Sequence, residues 1–169
     1  RTFKFCFVRN PWDRYVSNWH WLTRAGQRTS WNARGWEGTA GEISFESFVK
    51  QVGACYDKMY GKYQHDKWHL RNQADHITNQ NGELMVDFVG RLENLDADFA
   101  YVCERIGHPE IELPHLNHIQ SFTGEELAPE PHYSTFYTPE LVDIVAERAK
   151  DDIDLFGYQF EQEPESQNA

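Results

Sequence analysis

The sequence is poor in cysteine and lacks long apolar stretches. It holds three cysteines, Cys6, Cys55 and Cys103, among its 169 residues, an odd number with no close pair. This spacing excludes a disulfide framework and a zinc ribbon, and it is typical of a reducing compartment. No apolar run approaches the roughly 18–20 residues that a membrane span needs, and no signal peptide is visible. We therefore expect no membrane segment in this chain.

Basic residues are also scarce, and they are unevenly placed. The chain has 16 Lys and Arg against 27 Asp and Glu, a formal net charge of −11 at pH 7, which argues against a general nucleic-acid binder. Residues 1–34 nevertheless carry seven basic side chains and one acidic one, Asp13. A basic segment on an acidic body indicates an anion-binding face, and chance placement with solvated helix faces is the alternative explanation.

The length and the apolar content predict one folded domain. The chain is 40% hydrophobic and 15% aromatic, which is enough for the core of a domain of about 100–150 residues. We expect a single domain over residues 1–160 and a polar tail over residues 161–169. The chain begins with Arg1 and enters a strand pattern within two residues, so the expectation is a domain trimmed at its N-terminus.

Strand patterns that alternate with helix patterns along the chain predict an α/β fold with a parallel sheet. Strands are expected at residues 3–8 and 85–89, and a helix at residues 11–24 with Asn10 as its N-cap and Pro11 in its first turn. The other predicted helices share apolar residues at helical spacing. One follows the N-cap Ser44 and runs to about Ala54, one spans residues 95–106, and one long helix starts at Pro139 after the N-cap Thr138.

The turn after the first strand carries the most informative polar residues. Arg9 stands at the carboxyl end of that strand, where open α/β sheets bind ligands, and Ser17 follows two helical turns later. The helix N-terminus between them supplies N–H groups and a positive dipole end, which favour phosphate. Arg9 can add a bidentate contact and Ser17 a hydroxyl donor. The pattern predicts an anion site; the alternative is a surface ion pair for Arg9 and a tolerated helix residue for Ser17.

Three segments in the same order resemble motifs of the sulfotransferases that use 3′-phosphoadenosine 5′-phosphosulfate (PAPS). The first is similar to the 3′-phosphate-binding motif, a strand followed by Arg-Asn-Pro-x-x-Arg-x-x-Ser, and reads FCFVRNPWDRYVSNW. The second resembles a strand that leads through Gly-Arg-x-Glu-Asn-Leu into a helix, and reads VDFVGRLENLDADFAYVCERIG. The third resembles the C-terminal segment of the carbohydrate-type branch, sulfotransferase family 2, and reads FYTPELVDIVAERAKDDIDLFGYQF.

The resemblance implies a fold, a reaction and partners. The fold is a P-loop-like three-layer α/β sulfotransferase fold, of which this chain would be a helix-rich C-terminal portion with few parallel strands. The reaction transfers the sulfuryl group from PAPS to a hydroxyl, here of a carbohydrate-type acceptor. PAPS is a co-substrate, and no metal and no nucleic acid are implied.

The same resemblance assigns nucleotide-binding roles to five positions. Arg9 and Ser17 would hold the 3′-phosphate of the donor. Arg91 and Leu92 fall where the second family segment passes near the nucleotide. Residues 118–133 fall where relatives have a loop that covers the donor and is often basic. Here the loop lacks Lys and Arg, and Tyr133, with His118 or His132 as alternatives, is a candidate to substitute for them.

Two further positions receive structural or catalytic expectations. Arg14 is expected to brace the first helix through a salt bridge to Asp13 or to the acidic body. Residues 67–73 resemble a His-Trp-x-Pro-Gln element, from which Leu70 and Asn72 depart. His69 in this element is the candidate catalytic base, and a hydrogen-bonded structural or acceptor-contacting histidine is the alternative.

A Gly-rich, Lys-containing loop that cradles the 5′-phosphosulfate is also implied by the resemblance. No such loop stands in the 169 residues, so the expectation is that it precedes Arg1, as does the usual base, and that this fragment alone is inactive. The alternative function is a non-catalytic nucleotide- or glycan-binding module of sulfotransferase ancestry. The cysteine spacing favours a cytoplasmic enzyme of bacterial type, with a Golgi-luminal one as the alternative if an anchor was lost upstream.

Overall fold

The computed structural model of the chain describes four stretches: residues 2–24, 43–58, 70–113 and 131–162. They belong to two compact units. We call them the sheet unit, Arg1–Arg9 with Ile77–His132, and the helical unit, Asn10–His76 with Tyr133–Ala169. The single domain over residues 1–160 stays a prediction, and each unit is described separately below.

Both units are built from short regular elements that follow one another along the chain. The strands are β1 (Phe5–Val8) and β2 (Phe88–Arg91). The α-helices are α1 (Pro11–Arg24), α2 (Phe45–Lys58), α3 (Ala74–Ile77), α4 (Leu95–Ile106), α5 (Pro139–Arg148) and α6 (Lys150–Phe156). Single 3₁₀ turns form at Leu92–Asn94 and Tyr133–Phe136. This mixture of helix and parallel strand is compatible with an α/β sulfotransferase fold.

The sheet unit contains a parallel pair of strands. Strands β1 and β2 pair in the register Phe5 opposite Phe88 and Val8 opposite Arg91, which confirms the predicted parallel pairing. The predicted position of the second strand, residues 85–89, is wrong by three residues at its start and two at its end. Met85 instead donates its N–H to the carbonyl oxygen of Ile77 at 2.8 Å, because the chain before β2 folds back in a tight turn.

Helix α4 packs on the sheet beside β2. The rings of Phe88 on β2 and Tyr101 on α4 lie with their centroids 4.7 Å apart. The helix has the predicted bounds, Leu95–Ile106, and ends at Gly107, whose φ of 84° places it in the left-handed region. Glycine adopts this conformation without steric cost, which explains where the helix stops.

The core of the helical unit is an apolar layer between α1, α2 and α5. The rings of Tyr15 on α1 and Phe48 on α2 are 6.3 Å apart, and the indole N–H of Trp12 donates to the carbonyl oxygen of Val142 at 3.1 Å. Each fully buried large side chain contributes about 1.5–3 kcal/mol. The most deeply buried apolar residues of this layer are Phe48, Val49, Leu141 and Val145.

Two helices of this unit begin at the caps that the sequence predicts. The Ser44 hydroxyl oxygen accepts from the N–H of Ser47 at 3.1 Å at the start of α2. The Thr138 hydroxyl oxygen accepts from the N–H of Leu141 at 3.4 Å at the start of α5. Such bonds satisfy N–H groups that have no partner within the helix. Helix α2 is longer than predicted and reaches Lys58.

The predicted long C-terminal helix is wrong as a continuous element. It divides into α5 and α6 at Ala149, whose backbone angles are φ −99° and ψ 22°. Neither glycine nor proline stands at the break, so no local signal marks it. Ala149 is buried, so the bend lies inside the helical unit.

No helix in the described ranges is both long enough and apolar enough to cross a membrane.

Candidate functional site

The carboxyl edge of the two-stranded sheet brings three predicted nucleotide-binding residues together. Val8 and Arg91 form the last pair of the register, so Arg9 leaves β1 and Leu92 leaves β2 at the same edge. Neighbouring strands are about 4.8 Å apart, which places the two chain exits side by side. Arg9 is half-buried, whereas Arg91 and Leu92 are exposed. Two arginines, Arg9 and Arg91, therefore stand at one edge of the sheet unit.

Asp98 fixes the chain at this edge, and the sequence reasoning missed it. Its carboxylate accepts from the backbone N–H of Arg91 at 2.6 Å and from the side-chain amide of Asn94 at 2.9 Å. The carboxylate thereby holds the end of β2 and the turn that follows it. The i to i+4 spacing of Asn94 and Asp98 is the signal that could have found this pair.

Gly90 allows the close approach on which this edge depends. A Cβ atom at Gly90 would lie 2.5 Å from Cε1 of Phe7 on β1 and 3.2 Å from Cβ of Asp98 on α4. Only a residue without a side chain fits there unless its neighbours shift. The glycine of the Gly-Arg-x-Glu-Asn-Leu segment is therefore explained by packing between the strands and α4.

In the helical unit, Asn10 fixes the start of α1. Its side-chain oxygen accepts from the N–H of Trp12 at 3.0 Å, and its side-chain N–H groups donate to the carbonyl oxygen of Gln159 at 3.1 Å and to the phenol oxygen of Tyr133 at 3.4 Å. Asn10 is 2% exposed. It therefore acts both as the predicted N-cap and as the anchor of the C-terminal segment.

This cap changes one part of the predicted phosphate site. The N-terminus of α1 was expected to offer free N–H groups, but Pro11 has none and the N–H of Trp12 is bonded to Asn10. The start of α1 therefore offers fewer N–H groups to a ligand than expected. Ser17 lies on α1 and is half-buried.

Arg14 braces α1, as the sequence predicts. One guanidinium nitrogen, Nη1, lies 3.7 Å from Oδ2 of Asp152 and donates to the carbonyl oxygen of Arg71 at 2.7 Å. Of the two acidic partners that were expected, the structure shows a residue of the acidic body in this role. Asp152 lies 138 positions along the chain, so no local pattern could have identified it.

Tyr133 is part of the core of the helical unit. It is 8% exposed, and its phenol oxygen accepts from the backbone N–H of Glu161 at 2.8 Å. Burial raises the pKa of this phenol above its ordinary value. These contacts give Tyr133 a structural task, and its contact with nucleotide stays a prediction.

Other predicted positions lie outside the described residues. These are His69 and residues 118–130 of the predicted donor-covering loop. Gln73, which matches the last position of the His-Trp-x-Pro-Gln element, is described, and its side chain donates to Asp152 at 3.1 Å. Within the described part of the chain, no three His, Cys, Asp or Glu side chains group in a way that could hold a metal ion.

Comparison with known proteins links the chain to one family. A family model described as "Sulfotransferase family" matches residues 1–159. A protein of Archaeoglobus fulgidus, described as an uncharacterized protein, is 30% identical over 106 residues, which make up 63% of this chain and 68% of the relative. No solved structure matches the chain.

Proposed function

The chain belongs to the sulfotransferase family, and from that premise we propose that it binds PAPS through the 3′-phosphate for sulfuryl transfer to a hydroxyl of a carbohydrate-type acceptor. Arg9 and Ser17 hold the phosphate in this proposal. Arg91 and Leu92 lie beside the nucleotide, and Tyr133 borders it. The family membership supports transferase activity, and the donor, the acceptor and these residue roles are the proposal.

The observation that carries the proposal is the placement of Arg9 at the carboxyl edge of the sheet. It directly follows β1, and the parallel partner strand ends at Arg91 at the same edge. Ligands of open α/β sheets bind outside the carboxyl ends of the strands. An arginine fork at this position suits a phosphate, because it can donate two parallel hydrogen bonds to two phosphate oxygens.

The side chains assigned to the site suit a nucleotide that carries a second phosphate. Arg9 and Arg91 supply positive charge, and Ser17 supplies a hydroxyl donor that does not depend on pH. Exposed Leu92, 39% accessible, offers an apolar surface of the kind that lines nucleotide sites. None of these groups needs to react, so their task is to hold and orient the donor.

In the proposed reaction, the hydroxyl oxygen of the acceptor bonds to sulfur while the bond from sulfur to the bridging phosphate oxygen breaks. Adenosine 3′,5′-bisphosphate leaves, and the hydroxyl proton passes to a base, for which His69 is the candidate. The 169 residues contain no Gly-rich, Lys-containing loop. The proposal therefore assigns to this chain the half of the donor site that recognises the 3′-phosphate.

Replacing Ser17 with alanine tests this assignment. A hydroxyl that bonds to a charged phosphate contributes about 1.5 kcal/mol, so we expect affinity for adenosine 3′,5′-bisphosphate to fall roughly tenfold. Isothermal titration calorimetry measures the change. Asn18 is the matched control, because it is the next residue on α1 and its side chain donates to the carbonyl oxygen of Arg14, one turn earlier in the same helix, at 2.9 Å.

The Asn18→Ala variant should bind the nucleotide as the wild type does. A Ser17→Ala variant with unchanged affinity would exclude Ser17 from the phosphate site. A protein that binds the nucleotide but transfers no sulfuryl group when a phosphosulfate-binding loop is supplied would match the alternative, a non-catalytic binding module.

A further inference from the structure

The most deeply buried charge among the described residues of the helical unit has no task in the function proposed above. Asp152 lies on α6 and is 0% exposed. A carboxylate removed from water is costly unless charged or polar partners compensate it. The hydrogen-bond and ion-pair partners of Asp152 therefore indicate which segments it holds together.

The carboxylate of Asp152 joins three separate parts of the helical unit. Oδ1 accepts from the backbone N–H of Ala74 at 2.8 Å, and Oδ2 accepts from Nε2 of Gln73 at 3.1 Å. Oδ2 also lies 3.7 Å from Nη1 of Arg14 on α1. That same nitrogen donates to the carbonyl oxygen of Arg71 at 2.7 Å, so the network closes between α1, α6 and residues 71–74.

The network connects two elements to which different parts of the reaction are assigned. Arg14 and Ser17 are three residues apart on α1, so their side chains are neighbours on one helix face. Gln73 belongs to the element that also contains His69. A buried ion pair is often no more stabilising than apolar residues of the same size. Stability alone therefore does not account for a charge at this position, whereas fixing one arrangement of α1 and residues 71–74 does.

We propose that Asp152 is a positioning residue, which acts through Arg14 to hold Ser17 in place for the 3′-phosphate while its carboxylate also holds Gln73 through Oδ2 and Ala74 through Oδ1. This inference rests on the proposed function, because it concerns the same nucleotide site. Asp152 touches no ligand in this scheme. Its effect on binding passes through α1.

The test is an Asp152→Asn substitution, which keeps the shape of the side chain and removes its charge. Affinity for adenosine 3′,5′-bisphosphate is expected to fall about 3- to 10-fold, within the range of coupling between residues of one network. Asp154→Asn is the control, since Asp154 lies on the same helix, is exposed and pairs with Lys150. The control should bind as the wild type does.

A double substitution separates positioning from a loss of stability. If Asp152 acts on Ser17, then adding Asp152→Asn to the Ser17→Ala variant should change affinity by less than about 2-fold, because the hydroxyl that it positions is already gone. If Asp152→Asn weakens binding equally in both backgrounds, it acts by another route and the proposal is overturned. Should Asp152→Asn fail to fold, Arg14→Gln replaces it under the same two criteria.

The outcomes also distinguish this inference from the proposed function. If Ser17→Ala weakens binding and Asp152→Asn does not, the positioning role is wrong and the nucleotide site stands. If the wild type does not bind adenosine 3′,5′-bisphosphate at all, the proposed function fails, and the role of Asp152 in that site fails with it.

Discussion

Replacing Arg9 with alanine is expected to lower affinity for adenosine 3′,5′-bisphosphate by about 2–4 kcal/mol, or roughly 30- to 700-fold. Arg9 leaves β1 at the edge where β2 also ends, and it is half-buried, so water competes only in part for its guanidinium group. A charge-assisted, bidentate contact in such a place is stronger than a neutral hydrogen bond. Calorimetric titration of wild type and variant measures the difference directly.

Arg105→Ala is the matched control for the loss of one positive charge. Arg105 lies on α4 in the same unit, and its guanidinium carbon is 5.3 Å from the centre of the Phe3 ring. If general electrostatic attraction accounts for the effect, both variants should bind more weakly than the wild type. Raising the salt concentration should then bring both affinities to that of the wild type. If Arg9 contacts the 3′-phosphate, only Arg9→Ala should weaken binding. Equal affinity of wild type and Arg9→Ala would remove the basis of the proposed site.

A Gly90→Val substitution is expected to lower the free energy of unfolding by about 3 kcal/mol. Even the first side-chain atom at this position would meet the ring of Phe7 at 2.5 Å, and valine adds two further methyl groups. Relief requires movement of the Phe7 ring and of α4, which carries Asp98 beside the end of β2. Urea unfolding measures the loss of stability, and nucleotide titration measures the accompanying disturbance of the sheet edge.

A second substitution in the same contact tests the physical cause. Phe7→Leu shortens the side chain that the new methyl groups would meet, so the Gly90→Val/Phe7→Leu double variant should be more stable than the sum of the two single changes predicts. If the two effects simply add, the cost arises elsewhere in β2, and close packing does not explain the glycine.

Local signals predicted the parts of the fold that depend on neighbours in sequence. The α1 helix begins at Pro11 after Asn10, as expected, because an N-cap side chain and an N1 proline act within one turn. The α4 helix has its predicted bounds because Gly107 can adopt a positive φ. These features need no knowledge of the rest of the chain.

Features that depend on residues far apart in the sequence could not be predicted from local patterns. The bounds of β2 follow from its register with β1, Phe88 opposite Phe5, and the apolar run that begins at Met85 gives no indication of that register. The bend at Ala149 has no glycine or proline to mark it. For the same reason the burial of Asp152, whose partners stand 78 or more positions away, was invisible in the sequence.

The same distinction applies to the candidate site, where local motifs predicted some residues and others became evident only in the structure. Arg9 and Ser17 were predicted from a contiguous motif, and the structure places Arg9 at a strand end and Ser17 on a capped helix. Asp98 was missed, although it holds the backbone of Arg91, because its task depends on how α4 lies against β2. Motifs therefore identified the residues expected to contact the ligand, whereas the residues that hold them in place required the structure.

Parallel titrations of the wild-type protein with adenosine 3′,5′-bisphosphate and adenosine 5′-monophosphate test the central claim most directly. The two ligands differ only in the 3′-phosphate, which Arg9 and Ser17 are proposed to bind. The account predicts at least about tenfold tighter binding of the bisphosphate, because one charge-assisted contact alone contributes that much. Equal affinity for the two nucleotides, or binding of neither, would contradict it.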